Sequence, residues 1–588
     1  MAEKTGVTDM NSEPTDMGTW PAEQGQKFGP LALSATPGDP FELIDEVVRG
    51  VPMRVYRRAP TTLRAILESS RHRGDRDWLV YEGERWTYEK HFQAVARLAH
   101  QLIDRYGVKV GDRVAIGMRN YPEWSVAFWA TQAVGAIAVP LNAWWTGSEL
   151  EYALHDCGVR VLFADTERLA RLEPHLARLD LRAVVGVRLQ QAAPQGAERY
   201  EDVVAEPGPS DLPEASFGPD HDATILYTSG TTGRPKGAVT THRAHVTNLM
   251  NILAGLKPGA TDGEEQTLLS ADPSRPVALQ TLPFFHIAGL TCLYAYLAFG
   301  AKLVLMYRWE VEKALALIAA EEVSAVNAVP TVFRQLLDGT VHTGDLATVT
   351  AITTGGAPVP PDLVRRLAKV FGSRIAPSTS YGLTETTSAV ATNSGSDLLR
   401  RPDSAGRAVG VIDVRVVDEH GRDVGAGELG ELWFRGPTIA RGYWNDPVST
   451  SAAFTDGWFH TGDIGTLDAD GFITVVDRLK DVIVRGGENV YCAEVEAALF
   501  EHPAVADVAV VGLPHEILGE QVAAVVQLEP DRHLDADELR EHAAAHLAKF
   551  KIPEIIWLRE DPLPVTATGK VIKNELRRAL LRDANDAT

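Results

Sequence analysis

From Leu63 to about Gly406 the chain keeps returning to one arrangement: a helical stretch, a turn, then a short apolar run. "TLRAILESSRHRG" and "YEKHFQAVARLAHQLIDRYG" have helical spacing and end in glycine. "DRVAIGM" reads as a strand and "EWSVAFWATQAVG" as a helix. "RVLFAD", "KALALIAAEEV", "SAVNAVP" and "DLVRRLAKVFG" continue the alternation. Parallel strands need long crossovers, usually helical, so this pattern predicts α/β architecture with largely parallel sheets covered by helices. The chain, at 588 residues, has room for about two to four domains.

The texture changes near Gly406. "GVIDVRVVDEHGRDVGAGELGELWFRG" has short strands and glycine turns, the signature of a small β subdomain over about 406–479. After "DRLKDVIVRGGENVY" comes a unit of about 110 residues with its own alternation, including "YCAEVEAALFEHP" and "VADVAVVGL". It predicts a separate α+β domain, 480–588, behind an N-terminal domain, 46–479. Residues 1–45 are read as a variable tail, because they are rich in Pro, Gly, Ser and Thr and lack periodicity.

The net charge is −22, which argues against a general nucleic-acid or membrane surface while leaving room for a small anion site. Cys157, Cys292 and Cys492 are far apart and show no metal-binding spacing. They suit a reducing compartment, and with a polar, acidic N-terminus they give a cytoplasmic expectation. "SVAFWATQAVGAIAVPL" and "IAGLTCLYAYLAFGAKLVLM" are apolar but interrupted. Each is read as a buried helix running into a buried strand rather than a membrane span.

Chemistry concentrates in six short stretches. "TSGTTGRPKG", Thr228 to Gly237, follows the strand-like "ATILY". Its bare amides, hydroxyls and Lys236 suit a phosphate, although a Gly/Thr surface loop has the same composition. The Gly-Lys-Ser/Thr ending of a Walker loop is absent. "STSYGLTET" offers the Tyr381 ring for stacking, the Thr384 hydroxyl for phosphate and the hard oxygens of Glu385 for Mg²⁺. A turn around a buried tyrosine reads the same way. "TTGGAPV" lets a flat ligand approach Gly355 and Gly356, or is a plain strand-to-helix turn. In "DGWFHTGDIG", Asp463 is read in a glycine-flanked turn, as a ribose clamp or merely a turn former. Arg478 in "DRLKD" suits phosphate or ribose, or a solvated linker. Lys570 in "TATGKVIKNELR" sits near the end of the chain, where lysines are mostly just solvated.

Taken together and in this order, "YTSGTTGRPKG", "YGLTE", "TGD", "DRLKD…GGENV" and "TGK" resemble the ANL superfamily of adenylate-forming enzymes, in particular its acyl-CoA synthetases. The resemblance runs from about Leu63 to the C-terminal helix. It implies a large N-terminal domain of two α/β subdomains plus the small β subdomain, followed by a small mobile α+β domain. It implies ATP, Mg²⁺ and coenzyme A, and a carboxylate that attacks the α-phosphate before a thiol displaces AMP. By the same resemblance Thr228, Ser229, Gly230, Thr231, Thr232, Gly233 and Lys236 hold the β- and γ-phosphates. Gly356, Ala357 and Tyr381 flank adenine, Gly355, Pro358, Ser380 and Gly382 belong to the same cofactor site, and Thr384 and Glu385 take phosphate and metal. Asp463 takes the ribose, Arg478 the nucleotide, and Lys570 bridges carboxylate and α-phosphate. Lys480 lines up with the hinge, and Gly487, Glu488 and Asn489 with the thiol entry. His286 in "LPFFHIAGL" falls beside the acyl pocket, as a gate or an aid to the thiol step.

"SAVNAVPTVF" and "TTGG" are expected as further walls of an apolar, fatty-acid-like acyl pocket, because no Asp for a substrate amine occurs from Thr281 to Leu293. The alternatives are an acyl-AMP ligase serving a carrier protein, a luciferase-like oxygenase on the same scaffold, and a nucleotide-binding regulator without catalysis. The expected partners are a small carboxylic acid, ATP and CoA, with no nucleic acid and no integral membrane segment. The sequence allows a homodimer but does not specify one.

Overall fold

The computed structural model describes residues 38–206, 208–228, 234–255, 275–339, 346–357, 359–371, 375–530, 532–566 and 570–586. Two large mixed sheets dominate. The first has eight strands. Its parallel part runs Asp222–Thr228, Ile137–Pro140, Arg113–Gly117, Val161–Asp165, Ala183–Val187 and Ala197–Arg199 in spatial order. Lys236–Thr241 and Gly442–Tyr443 extend it antiparallel. The second sheet has nine strands, with Ala376–Leu383, Ala351–Gly355, Ala325–Ala328, Val277–Gln280, Lys302–Leu305 and Asp77–Tyr81 parallel at its centre.

One core holds the helices that looked like membrane spans. Pro122–Ala133 is buried at all twelve positions and runs into the buried strand Ile137–Pro140. Ile287–Phe299 is apolar on nearly every face and runs into Lys302–Leu305. A helix without a polar face belongs between layers, and Trp78, Trp124, Trp129 and Phe284 pack there at 0% exposure. Among the described residues no helix is long and apolar enough to cross a membrane.

The β-rich stretch forms a five-stranded sheet from Asp413–Val417, Gly430–Arg435, Phe454–Thr455, Trp458–Leu467 and Ile473–Arg478. The C-terminal unit is a second five-stranded sheet. Its long hairpin, Val505–His515 with Gly519–Leu528, packs helices Cys492–Phe500 and Ala536–Ala544 on one face and Lys573–Asp586 on the other. Between the two sheets lies the one-turn 3-10 segment Leu479–Asp481, with Leu479 and Lys480 exposed.

One element departs from the reading of the sequence. The strand Leu43–Val48 begins inside the stretch expected as tail, and pairs antiparallel with Val51–Tyr56. This hairpin bridges distant parts of the chain. Tyr56 donates its hydroxyl to Asn251 at 2.8 Å, and Arg49 donates to the Ile439 carbonyl at 2.8 Å. Phe41 and Tyr56 close a small core with Met250 and Val411.

Candidate active site

Parallel α/β sheets present their loops, and hence their ligands, at the carboxyl ends of the strands. Most of the candidate residues gather at such ends. Thr228 ends its strand and pairs directly with Lys236 across the connection 229–233. Gly355 ends Ala351–Gly355 and pairs with Ser380, and Gly356 and Ala357 follow at once. His286 follows Val277–Gln280, two strands away in the same sheet. Ser229, Gly230, Thr231, Thr232, Gly233 and Pro358 lie outside the described residues.

The strand Ala376–Leu383 carries Tyr381 and turns through the short 3-10 segment Thr384–Thr386 into Ser388–Ser394. The turn is tight. A Cβ on Gly382 would stand 1.9 Å from the Ser388 carbonyl oxygen, so only glycine fits. Thr387 and Ser388 sit at φ 52° and 84°, the left-handed region that side chains enter at a cost of about 1–3 kcal/mol. Hydrogen bonds hold them there: Thr386 Oγ1 donates to the carbonyls of Leu383 and Ser388, and Thr387 Oγ1 to that of Thr438. The strained turn buries Glu385 beneath it.

Asp463 lies within the strand Trp458–Leu467 and not in a turn, which corrects the expectation from the flanking glycines. Only Gly462, at φ 68°, is turn-like. The strand pairs Asp463 with Arg478, and the guanidinium Nε lies 2.6 Å from Oδ1, close as a charge but not aligned as a hydrogen bond. Tyr381 donates its hydroxyl to Oδ2 at 2.5 Å. Burial raises the Asp463 pKa, against the opposing pull of Arg478. Burial and the adjoining Asp463 likewise push the Tyr381 hydroxyl well above its ordinary value, so it stays a donor.

Glu385 is bound by a residue the sequence reading missed. Tyr443 donates its hydroxyl to Glu385 Oε1 at 2.9 Å, and the Lys236 ammonium stands 5.4 Å from the centre of the same ring. "RGYW", at the edge of the first sheet, carried no local signal beyond an aromatic after a glycine. Burial raises the Glu385 pKa. A buried carboxylate held at one oxygen fits a hard divalent cation, which takes one or two protein carboxylates and fills its other positions with phosphate and water. Among the described residues no group of three or more His, Cys, Asp or Glu could hold a metal alone. Mg²⁺ here would thus rest on Glu385 together with the substrate phosphates.

Lys570 reaches this cluster from the C-terminal unit. It sits in a small turn closed by Thr566, whose amide donates to the Lys570 carbonyl at 2.8 Å. The residue is exposed overall, and the surrounding protein partly desolvates its ammonium. That desolvation, then Arg478 and Lys480, lowers its pKa to about 8, while Asp463 and Asp481 pull it back up. Lys480 therefore lies within electrostatic range of Lys570. Gly486 and Gly487, at φ 60° and 88°, form the two-residue turn between Ile483–Arg485 and Glu488–Val490, a geometry that a Gly-Gly pair suits. Gly487, Glu488 and Asn489 are exposed there.

His286 caps helix Ile287–Phe299, accepting from the Ala288 amide through Nδ1 at 3.3 Å. Desolvation lowers its pKa to about 4, so it is neutral near pH 7 and Nε2 is its remaining ring nitrogen. The helix has no charged residue; Thr291, Cys292 and Tyr296 keep 8% exposure each while Leu290, Leu293 and Leu297 have none. Asn327 faces this stripe, donating to the Tyr296 hydroxyl at 2.6 Å. A cavity of about 580 Å³ lined by Tyr121, Arg171, Arg188 and Tyr307 lies elsewhere. Its cations are already matched, Arg188 by Glu84 and Glu123 and Arg171 by Glu167.

Residues 66–444 match the family model for AMP-binding enzymes, and residues 494–570 match the model for the AMP-binding enzyme C-terminal domain. The chain is 36% identical over 504 residues to a feruloyl-CoA synthase of an Amycolatopsis species, covering 84% of this chain and 94% of the relative. It is 33% identical over 497 residues to a long-chain-fatty-acid–CoA ligase of Mycobacterium tuberculosis, covering 84% and 93%. The structure of o-succinylbenzoate coenzyme A synthetase from Bacillus subtilis with ATP and magnesium superposes with a TM-score of 0.75 at 30% identity, covering 88% of this chain and 99% of that one. The chain belongs to the AMP-binding enzyme family, among its AMP-forming acid–CoA ligases.

Proposed function

We propose that the enzyme activates a predominantly apolar carboxylic acid, bound as its carboxylate, as the acyl-adenylate and passes the acyl group to the thiol of coenzyme A. What carries the reading is Lys570 within electrostatic reach of Asp463 and Arg478. Adenylation brings two anions together, a carboxylate and the α-phosphate. A cation held in a poorly solvated cleft offsets their repulsion more strongly than one in water. Asp463, oriented by Tyr381 and Arg478, takes the ribose hydroxyls. Lys236 and the Thr228 hydroxyl take the distal phosphates, with Thr384 beside them. Bound Mg²⁺ supplies further neutralisation of the phosphates, and Glu385 holds it. In the second step the thiol sulfur bonds to the acyl carbon, the acyl C–O bond to AMP breaks, and the thiol proton passes to solvent. For this the C-terminal unit turns about Lys480, withdraws Lys570 and brings Gly487–Asn489 towards the site, a motion that absorbs its change at a few backbone angles. The charge-free helix behind His286 supports an uncharged acyl group, and the relatives include ligases named for aromatic and for long-chain acids.

Acid-dependent pyrophosphate exchange, run across aromatic, aliphatic and amino acids, tests this. Exchange is expected with apolar aromatic or aliphatic acids, each followed by a CoA ester seen by mass spectrometry. Exchange with amino acids only, or exchange that never yields a CoA ester, would refute it.

The charge of Lys570 also sets a pH dependence. Its proton leaves as pH rises through about 8 in the free enzyme, so kcat/KM for adenylation should be level below that value and fall above it. Lys570→Arg, which keeps its charge far higher, should remove that limb at some cost in rate. A profile from pH 6 to 10 for both proteins reads this directly.

A further inference from the structure

A second cation, Arg334, meets the C-terminal unit from the rest of the chain. Arg334 lies on the helix Pro330–Gly339, which follows the strand Ala325–Ala328. Its guanidinium stands 4.1 Å from the centre of the Phe500 ring. Phe500 is the last residue of Cys492–Phe500 in the C-terminal unit. Asp507, on the strand Val505–His515 of that unit, lies within electrostatic range of Arg334. From its own side Arg334 feels Asp362, Asp338 and Arg366, but Asp338 is occupied by Arg366 at 2.5 Å. The Nε of Arg334 is buried without a hydrogen-bond partner among the described residues.

Phe500 packs against a core shared with Val505, Val508 and Val510 on one face of the long hairpin. The other face of that hairpin, through Val511, Val525 and Leu576, carries the cluster that includes Val571, next to Lys570. Fixing Phe500 and Asp507 therefore fixes the frame from which Lys570 projects. The contact is also incomplete. A desolvated cation on an aromatic face is attractive, but a buried charge lacking full hydrogen bonding retains part of its desolvation cost. Such a contact holds one arrangement without making its release prohibitive.

We infer that Arg334 is a positioning residue for adenylation: by seating on the Phe500 ring, with Asp507 in electrostatic range, it holds the C-terminal unit where Lys570 meets Asp463 and Arg478, and it lets go for thioester formation. This rests on the reading above that Lys570 serves the first step and leaves for the second. Arg334→Ala should lower the kcat of acid-dependent pyrophosphate exchange about tenfold, leave the KM for ATP within about twofold, and leave thioester formation from supplied acyl-adenylate unchanged or faster. Asp507→Asn should act in the same direction, and the double variant should be less than additive. Arg334→Lys, which keeps charge but loses the planar face, should recover part of the rate. Hydrogen exchange without substrates, read over Leu479–Ile483 and Cys492–Phe500, should be faster in Arg334→Ala than in the native enzyme. Equal loss of both half-reactions, or unchanged hydrogen exchange, would overturn the role of Arg334. If the native enzyme activates no acid at all, the proposed reaction fails, while hydrogen exchange still decides whether Arg334 clamps the unit.

Discussion

Lys570→Ala is expected to lower the rate of acyl-adenylate formation by about 10²–10³-fold, the scale of losing one positioned charge-stabilising group, and to spare the second half-reaction. The ammonium is the group of the C-terminal unit, among the described residues, that acts on Asp463 electrostatically, and both reacting groups are anionic. Alanine leaves their repulsion to Lys236 and the metal, both assigned to the distal phosphates. The thioester step starts from an adenylate whose carboxyl carbon is already activated, and the proposed motion takes Lys570 away before it. Pyrophosphate exchange measures the first step, and release of AMP from supplied acyl-adenylate and CoA measures the second. Equal loss in both would contradict the role.

Asp463→Ala should instead damage both halves, because the AMP portion occupies the same seat in each. The native carboxylate satisfies the Tyr381 hydroxyl and offsets Arg478 in a buried place. Alanine removes the ribose acceptor and leaves a guanidinium and a phenol without their partner. Losing a hydrogen bond to a charged acceptor costs about 1.5–3 kcal/mol, so kcat/KM for ATP should drop by roughly 10- to 100-fold, with a raised KM. Asp463→Asn, which still accepts a hydrogen bond, should lose less. Unchanged KM for ATP in the alanine variant would remove Asp463 from the ribose site.

The residue types at the turns made much of this legible. Glycine reports a backbone constraint, which is local. Hence Gly355–Gly356 after a strand, and Gly486–Gly487 between two strands, could be read from their neighbours alone. The helix-into-strand pairs at Pro122–Pro140 and Ile287–Leu305 were legible from their apolar runs and the interruptions in them. Partnerships across the fold were not. Nothing near Asp463 announces a strand pairing with Arg478, and its two glycine neighbours pointed to a turn. Tyr443 meets Glu385 only because Gly442–Tyr443 adds to the edge of the first sheet. Arg334 and Phe500 belong to different units, and neither has a local pattern that predicts their meeting.

The hairpin Leu43–Tyr56 has a practical bearing on how the protein is divided for study. It precedes the first family-matched residue, 66, yet it covers Met250 and Val411 and ties Ile439 to the amino-terminal end of the chain. A version trimmed to the matched stretch would lose a staple that joins the Met250 region to the Val411 and Ile439 segments, and would bare an oily patch where they meet.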